Sequence, residues 1–220
     1  MMCRCYVSPD SASIEREFEL APARWKFAAN FNTTPAQVVP VVRADNGRAE
    51  GVMMRWGLAR HGSFNAAVET LASSAEFGEP WKQGRRCIIP ALGFYEWHVN
   101  PDASKQPYYI HPDDQDVFGF AGLWARSSVD ANSVTECCSI ITLPASPLIS
   151  EIHNSGSRRM PALLTRKLRE LWLFGTVDVA GMALAAYPDE RLLAYAVSDR
   201  INSPLSNDEN LVEPLETDDD

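Results

Sequence analysis

The side chain with the most distinctive chemistry open to it is Cys3, in the opening run Met1-Met2-Cys3-Arg4-Cys5-Tyr6. If the residues before it are removed, Cys3 becomes a terminal 1,2-aminothiol. An α-amine has a pKa near about 7.7–8, so much of it is neutral at physiological pH, whereas a lysine amine near about 10.4 is almost wholly protonated. Such an amine condenses with an aldehyde to an imine. The neighbouring thiol then closes on the imine carbon to give a five-membered thiazolidine, which resists hydrolysis better than the imine does. A second candidate is Glu96, the one carboxylate in the apolar and aromatic run Gly93-Phe94-Tyr95-Glu96-Trp97. Desolvation moves a buried carboxyl toward neutrality, which suits a proton shuttle. A third is Ile152-His153 followed by Arg158-Arg159-Met160-Pro161, where an imidazole can trade a proton near neutral pH and the arginines can hold a phosphate. Each also has a plain structural reading: Cys3 as a small buried side chain, Glu96 on a solvent face with Phe94, and His153 as a loop histidine beside solvated arginines.

These residues have to be held by strands for the most part. Val38-Val39-Pro40-Val41-Val42, Val52 to Trp56, Cys87 to Pro90, Phe94 to Trp97, Tyr108 to Ile110, Val117 to Ala121, Cys138 to Thr142 and Leu193 to Val197 are short, β-branched or aromatic runs bounded mostly by Gly, Pro, Asn or Asp. Residues 65–77 and 165–174 read as helices. Asn65 would be the N-cap of the first, and Thr165 the cap of the second, with Leu168, Leu171 and Trp172 on one face and Gly175 as its stop. Residues 101–106, 113–116 and 127–135 read as polar turns, and 154–157 as a small mobile loop. The expectation is an α+β domain built on a curled, mostly antiparallel, open barrel-like sheet with peripheral helices. Arg55, in Met54-Arg55-Trp56-Gly57-Leu58, and the Arg85-Arg86 pair sit beside aromatic strands, as phosphate contacts or as a solvated rim.

Composition sets outer limits. At 220 residues with 45% hydrophobic and 22% charged residues, the chain is globular, as one large domain or two small ones. No window offers the roughly 20 apolar residues of a membrane span, and the start lacks the apolar core of a signal peptide. A cytoplasmic protein without membrane contact is expected. Five cysteines at 3, 5, 87, 137 and 138 form neither a disulfide framework nor two separated zinc pairs. Reduced thiols and no metal are the expectation. The net charge of −9 argues against a nonspecific coat for nucleic acid, yet seven of those charges fall in residues 207–220 and leave the rest near neutral. The expected division is a domain over 1–206 and an acidic tail over 207–220. No phosphate-binding glycine loop or His-Glu-x-x-His motif occurs, so no nucleotide or other cofactor is implied.

Taken together and in order, these motifs resemble the SOS response-associated peptidase family, whose members shield abasic sites in single-stranded DNA. The resemblance runs over nearly the whole chain: Met2-Cys3-Arg4-Cys5-Tyr6, Phe31-Asn32-Thr33-Thr34-Pro35, Met54-Arg55-Trp56-Gly57-Leu58, Asn65-Ala66-Ala67-Val68-Glu69-Thr70, Arg86-Cys87-Ile88-Ile89-Pro90, Gly93 to Trp97, Ile140-Ile141-Thr142, Ile152-His153 and Arg159-Met160-Pro161. The resemblance implies a DNA-damage function in the cytoplasm, or on the nucleoid of a bacterium. Cys3 would capture the sugar aldehyde after removal of the preceding Met, Glu96 and His153 would move protons, and Asn65 would orient the sugar. Arg4, Asn32, Arg55, Trp56, Arg60, Arg158 and Arg159 would contact a single-stranded DNA partner, with the protein a monomer. An imine at the sugar also implies β-elimination as a side reaction. The chain departs from the family pattern at several points. Two Met residues precede Cys3, the family's cations fall at Ala67, Ala75 and Cys5, and about four residues are added between His153 and Arg159. A thiol peptidase confined to its own N-terminus and a noncatalytic binding module are the alternatives.

Overall fold

The computed structural model describes residues 4–21, 25–58, 62–130 and 133–216. In chain order its elements are β1 (Tyr6–Ser8), α1 (Ser11–Glu17), β2 (Asn30–Thr33), β3 (Val38–Asp45), β4 (Arg48–Trp56), β5 (Asn65–Ala67), α2 (Gly78–Lys82), β6 (Arg86–Ala91) and β7 (Gly93–Val99). There follow β8 (Lys105–Pro112), β9 (Phe118–Asp130), β10 (Ser133–Pro144), α3 (Pro147–Ile152), β11 (Arg159–Pro161), β12 (Leu163–Leu164), α4 (Arg166–Phe174), α5 (Val177–Met182) and β13 (Leu192–Ala196).

The β3–β4 hairpin shows how local chemistry sets register. Asn46 and Gly47 both take positive φ, 47° and 77°, the two-residue turn whose twist matches its strands. Asp45 therefore faces Arg48 and the pairing runs without a break to Val38 opposite Arg55. From there β3 pairs with β6, β6 with β9, β9 with β10, and β10 returns parallel to β4. The sheet has curled until it closes on itself. Outside this ring β11 and β5 lie along β10, and β12 along β9. A second, antiparallel sheet has the order β13-β8-β7-β1-β2.

β7 is covered on both faces. Phe94 belongs to the main core with Tyr6, Trp56 and Phe120, whose rings meet edge-on at 5.2–6.0 Å. Tyr95 faces a smaller cluster with Cys5, Val7, Tyr109, Val197, Ile201 and Leu211. Period-two alternation does put Glu96 on the side of Phe94, but that side is interior: Glu96 is only 2% exposed. The solvent-face reading of Glu96 is thereby corrected.

The expected helix over 65–77 is not formed. Asn65–Ala67 is extended and pairs in parallel with Ile140–Thr142, and only a 3₁₀ turn follows at Val68–Thr70. The edge of β10 outcompetes the modest helix propensity of this stretch, so Asn65 is not an N-cap. The helix expected over 165–174 is present as α4, stopped at Gly175, but Arg169, Trp172 and Leu173 are its buried residues and Leu171 is 46% exposed. Of the polar stretch expected as a turn over 127–135, residues 127–130 and 133–135 are strand, with Ser127 opposite Thr135. Of the acidic stretch from 207, residues 207–216 lie against the second sheet: Leu211 is buried, Tyr195 Oη donates to the Val212 carbonyl at 3.0 Å, and Leu215 N–H donates to the Ala196 carbonyl at 2.9 Å.

Candidate active site

Glu96 and His153 come from elements 57 residues apart. β7 holds Glu96 opposite Tyr108 of β8. α3 brings in His153: Ser146 caps its start by accepting the Ile149 N–H at 3.4 Å, Pro147 opens it, and His153 follows its last turn, donating its own N–H to the Ile149 carbonyl at 2.7 Å. The helix packs on β7, and His153 Nδ1 reaches Glu96 Oε2 at 2.8 Å. Both residues are buried. With Glu96 ionised it can only accept, so Nδ1 carries a proton, and the neutral form of the ring has its lone pair on Nε2. Nε2 is closed to solvent and, among the described residues, has no hydrogen-bond partner.

The next residue fixes the loop. Asn154 Oδ1 accepts the Val99 N–H and its Nδ2 donates to the Val99 carbonyl, both at 2.9 Å, so the side chain prolongs the edge of β7. His98 adds a 3.0 Å contact from Nδ1 to the Glu151 carbonyl. The segment expected to be mobile is thus pinned at its first residue.

Beside the pair opens a cleft of about 150 Å³, lined by Arg4, Glu96, Trp97 and His153, with Val99, Lys105, Ser155 and Asn202 completing it. The guanidinium of Arg4 lies 5.7 Å from the centre of the Trp97 ring, a cation–π arrangement. Trp97 Nε1–H donates to Asn202 Oδ1 at 3.0 Å, which fixes that ring at the cleft wall. Cys5, two residues beyond Cys3, faces the other way. Its Sγ meets Asn32 Oδ1 at 3.0 Å, and burial pushes its thiol up to about 12 against a smaller pull from Arg4. It stays protonated at neutral pH and is no nucleophile.

Cys3 and Arg60 lie outside the described residues. Asn65 sits in β5 beside Ile140, and it is not among the residues lining the cleft. Asn32 is 6% exposed, and its amide donates to the carbonyls of Ile201, Ser203 and Ser206. Trp56 is 1% exposed, its indole N–H given to the Phe64 carbonyl. Both are buried and bonded within the fold. Arg55 is half-buried and donates to the Gly57 carbonyl at 3.1 Å. Arg159 is committed to a two-bond pair with Glu69, at 2.9 and 2.7 Å, and to Thr142. That pair holds the Glu69 carboxyl below its usual range. Arg158 is exposed. Among the described residues no group of three or more His, Cys, Asp or Glu gathers to hold a metal, and no helix is long and apolar enough to cross a membrane.

Sequence reasoning passed over Trp97, Lys105, Asn154, Ser155 and Asn202. Trp97 adjoins Glu96 in the same motif, and Lys105 is reached by counting back across the hairpin from Val99, its partner. Nothing local marks Asn202.

The family model described as SOS response associated peptidase matches residues 1–204. Abasic site processing protein YoqW of Bacillus subtilis is 30% identical over 200 residues, which cover 86% of this chain and 87% of the relative. Abasic site processing protein HMCES of Xenopus tropicalis is 26% identical over 222 residues, covering 83% of this chain and 65% of the relative. A solved protein of Bacteroides thetaiotaomicron superposes with a TM-score of 0.84 over 96% of this chain and 99% of its own, at 24% identity, a likeness of fold. With the family model matched over residues 1–204 and a relative 30% identical over most of both chains, the chain belongs to the SOS response associated peptidase family.

Proposed function

We propose that this protein processes abasic sites in single-stranded DNA, with Cys3 capturing the ring-opened sugar aldehyde as a thiazolidine. The observation that carries the reading is the Glu96–His153 hydrogen bond of 2.8 Å, buried at the wall of a cleft that Arg4, the residue after Cys3, also lines. Two curated relatives bearing the name abasic site processing protein support the substrate. The volume suits it as well. A cavity of about 150 Å³ in another protein accepts one benzene ring, so this cleft has room for a ring the size of a sugar.

In the proposed sequence, hydrolysis first removes Met1 and Met2 and leaves a free α-amine on Cys3. The neutral amine adds to the aldehyde carbon, and its nitrogen loses a proton as the oxygen gains one, giving a carbinolamine. Loss of water gives the imine. The Cys3 sulfur then adds to the imine carbon while its proton passes to nitrogen, and the ring closes. Protein and aldehyde combine with loss of one water, and no oxidant or reductant is needed. His153 moves these protons through Nε2. Glu96, on Nδ1, orients the ring and stabilises its protonated form. Burial keeps bulk water from competing for the same protons.

Replacement of Cys3 by Ser tests the thiol. The unaltered protein should give a heat-stable crosslink to an abasic single strand, and Cys3→Ser a reversible imine only. A crosslink of equal stability in Cys3→Ser would overturn thiazolidine capture. A chain that sheds both Met residues and is inert toward abasic DNA would favour the self-limited peptidase.

A further inference from the structure

The cleft extends past Glu96 and His153 to a part that the proton-transfer chemistry leaves unused. Val99, Lys105 and Ser155 are the lining residues concerned. Val99 and Lys105 face each other at the turn end of the β7–β8 hairpin. Ser155 enters on the added loop that Asn154 bolts to both backbone groups of Val99. A cation, a hydroxyl and a fixed strand end are thus gathered beside the pair. Among the described residues no carboxylate lies within ion-pair distance of Lys105. Lys105 thus lines the cleft without an ion-pair partner among the described residues, on a chain of net charge −9. The contrast with Arg159 is direct, because that guanidinium is consumed by Glu69 and Thr142. Arg4 adds a second cation on the same lining, steered by Trp97.

We propose that Lys105 and Ser155 form a phosphate subsite, which with Arg4 holds the phosphodiester next to the captured sugar. The proposal rests on the abasic-site reading and adds to it the group that anchors the strand. An ammonium and a hydroxyl suit a single phosphate: Lys acts as a point charge with three donors, and Ser supplies one directed hydrogen bond. A phosphate contact of this kind positions the strand and carries no sequence information.

The test separates binding from capture. A single-stranded oligonucleotide carrying tetrahydrofuran in place of the abasic sugar has no aldehyde, so its affinity reports non-covalent binding alone. Each phosphate of a single strand that the protein no longer neutralises flattens the slope of log K against log salt by about 0.7. The affinity ratio of unaltered protein to Lys105→Ala should therefore narrow about 2.6-fold between 50 and 200 mM salt. Lys105→Arg should restore the slope, and Lys167→Ala, on the exposed side of α4, should leave it unchanged. An unaltered slope in Lys105→Ala overturns the subsite, as does an equal flattening in Lys167→Ala, which would reduce the effect to overall charge. Failure of the function reading looks different: the unaltered protein binds the tetrahydrofuran strand with the expected Lys105 dependence and yet never crosslinks a true abasic strand. No binding by the unaltered protein overturns both.

Discussion

Removing the imidazole and removing the charge should have unequal effects on stability. His153→Ala strips the partner from Glu96, a carboxylate 2% exposed. A buried carboxylate without its partner relieves itself by taking up a proton. For a glutamate of ordinary pKa, about 4.3, that protonation costs about 3.7 kcal/mol at pH 7 and about 1 kcal/mol at pH 5. The sign follows from linkage: in the variant the neutral form is favoured in the fold, so the penalty is absent below the unfolded pKa and grows as pH rises. At about 2–4 °C per kcal/mol for a chain of this size, the loss of Tm should be about 5–11 °C larger at pH 7 than at pH 5, on top of a constant packing loss. Glu96→Gln removes the charge and keeps an oxygen that accepts from Nδ1–H. Its Tm should stay within about 2 °C of the unaltered protein, because a desolvation cost disappears along with the ion pair. Both variants should slow abasic crosslinking by about 10²–10⁴-fold. Thermal unfolding by circular dichroism at the two pH values, with crosslinking followed on denaturing gels, measures all of this. A Glu96→Gln variant that melts as early as His153→Ala at pH 7, or a His153→Ala deficit that ignores pH, would refute the reasoning.

Other consequences are open to measurement. With its thiol pushed up to about 12 by burial, Cys5 should escape iodoacetamide at pH 8 in the native state and react only on unfolding; native labelling read by peptide mass spectrometry decides it. Gly93→Ala would drive a methyl into the Tyr109 ring, and overpacking of that kind costs about 1–3 kcal/mol, so Tm should fall by about 2–12 °C. Asn154→Ala cuts two bonds to Val99; stability should drop by about 1–2 kcal/mol. The crosslinking rate should fall with it while affinity for a tetrahydrofuran strand holds, and a weakened affinity at an unchanged rate would count against its part in seating His153.

Strands announced themselves where the chemistry was local. Runs such as Val38 to Val42 and Phe94 to Trp97 formed as read, and the Asn46-Gly47 turn between β3 and β4 was there to be found by its type. Helix starts at Asp10 and Ser146 carried equally plain signals: Asp10 Oδ1 accepts the N–H groups of Ala12 and Ser13, and a proline follows Ser146. Where the reading failed, a distant partner decided the outcome. β5 is a strand only because β10 offers an edge, and Leu171 faces solvent because α4 turns Trp172 toward Cys87, whose carbonyl accepts the indole N–H at 2.7 Å. The burial of Glu96 follows from having one sheet face against the closed ring and the other against Tyr95's cluster, a two-sided cover that alternation within one strand cannot reveal. Motif order pointed to Glu96 and His153. The geometry that makes them a pair, the α3 docking and the Asn154 clamp, joins residues 55–57 apart.

The sharpest single measurement is the intact mass of the purified protein before and after mixing with an abasic single-stranded oligonucleotide. The expected result is a chain lacking Met1 and Met2 that shifts to the summed mass of protein and oligonucleotide less one water. A chain that keeps either Met, or a processed chain whose mass does not change on mixing, would contradict capture through the Cys3 aminothiol.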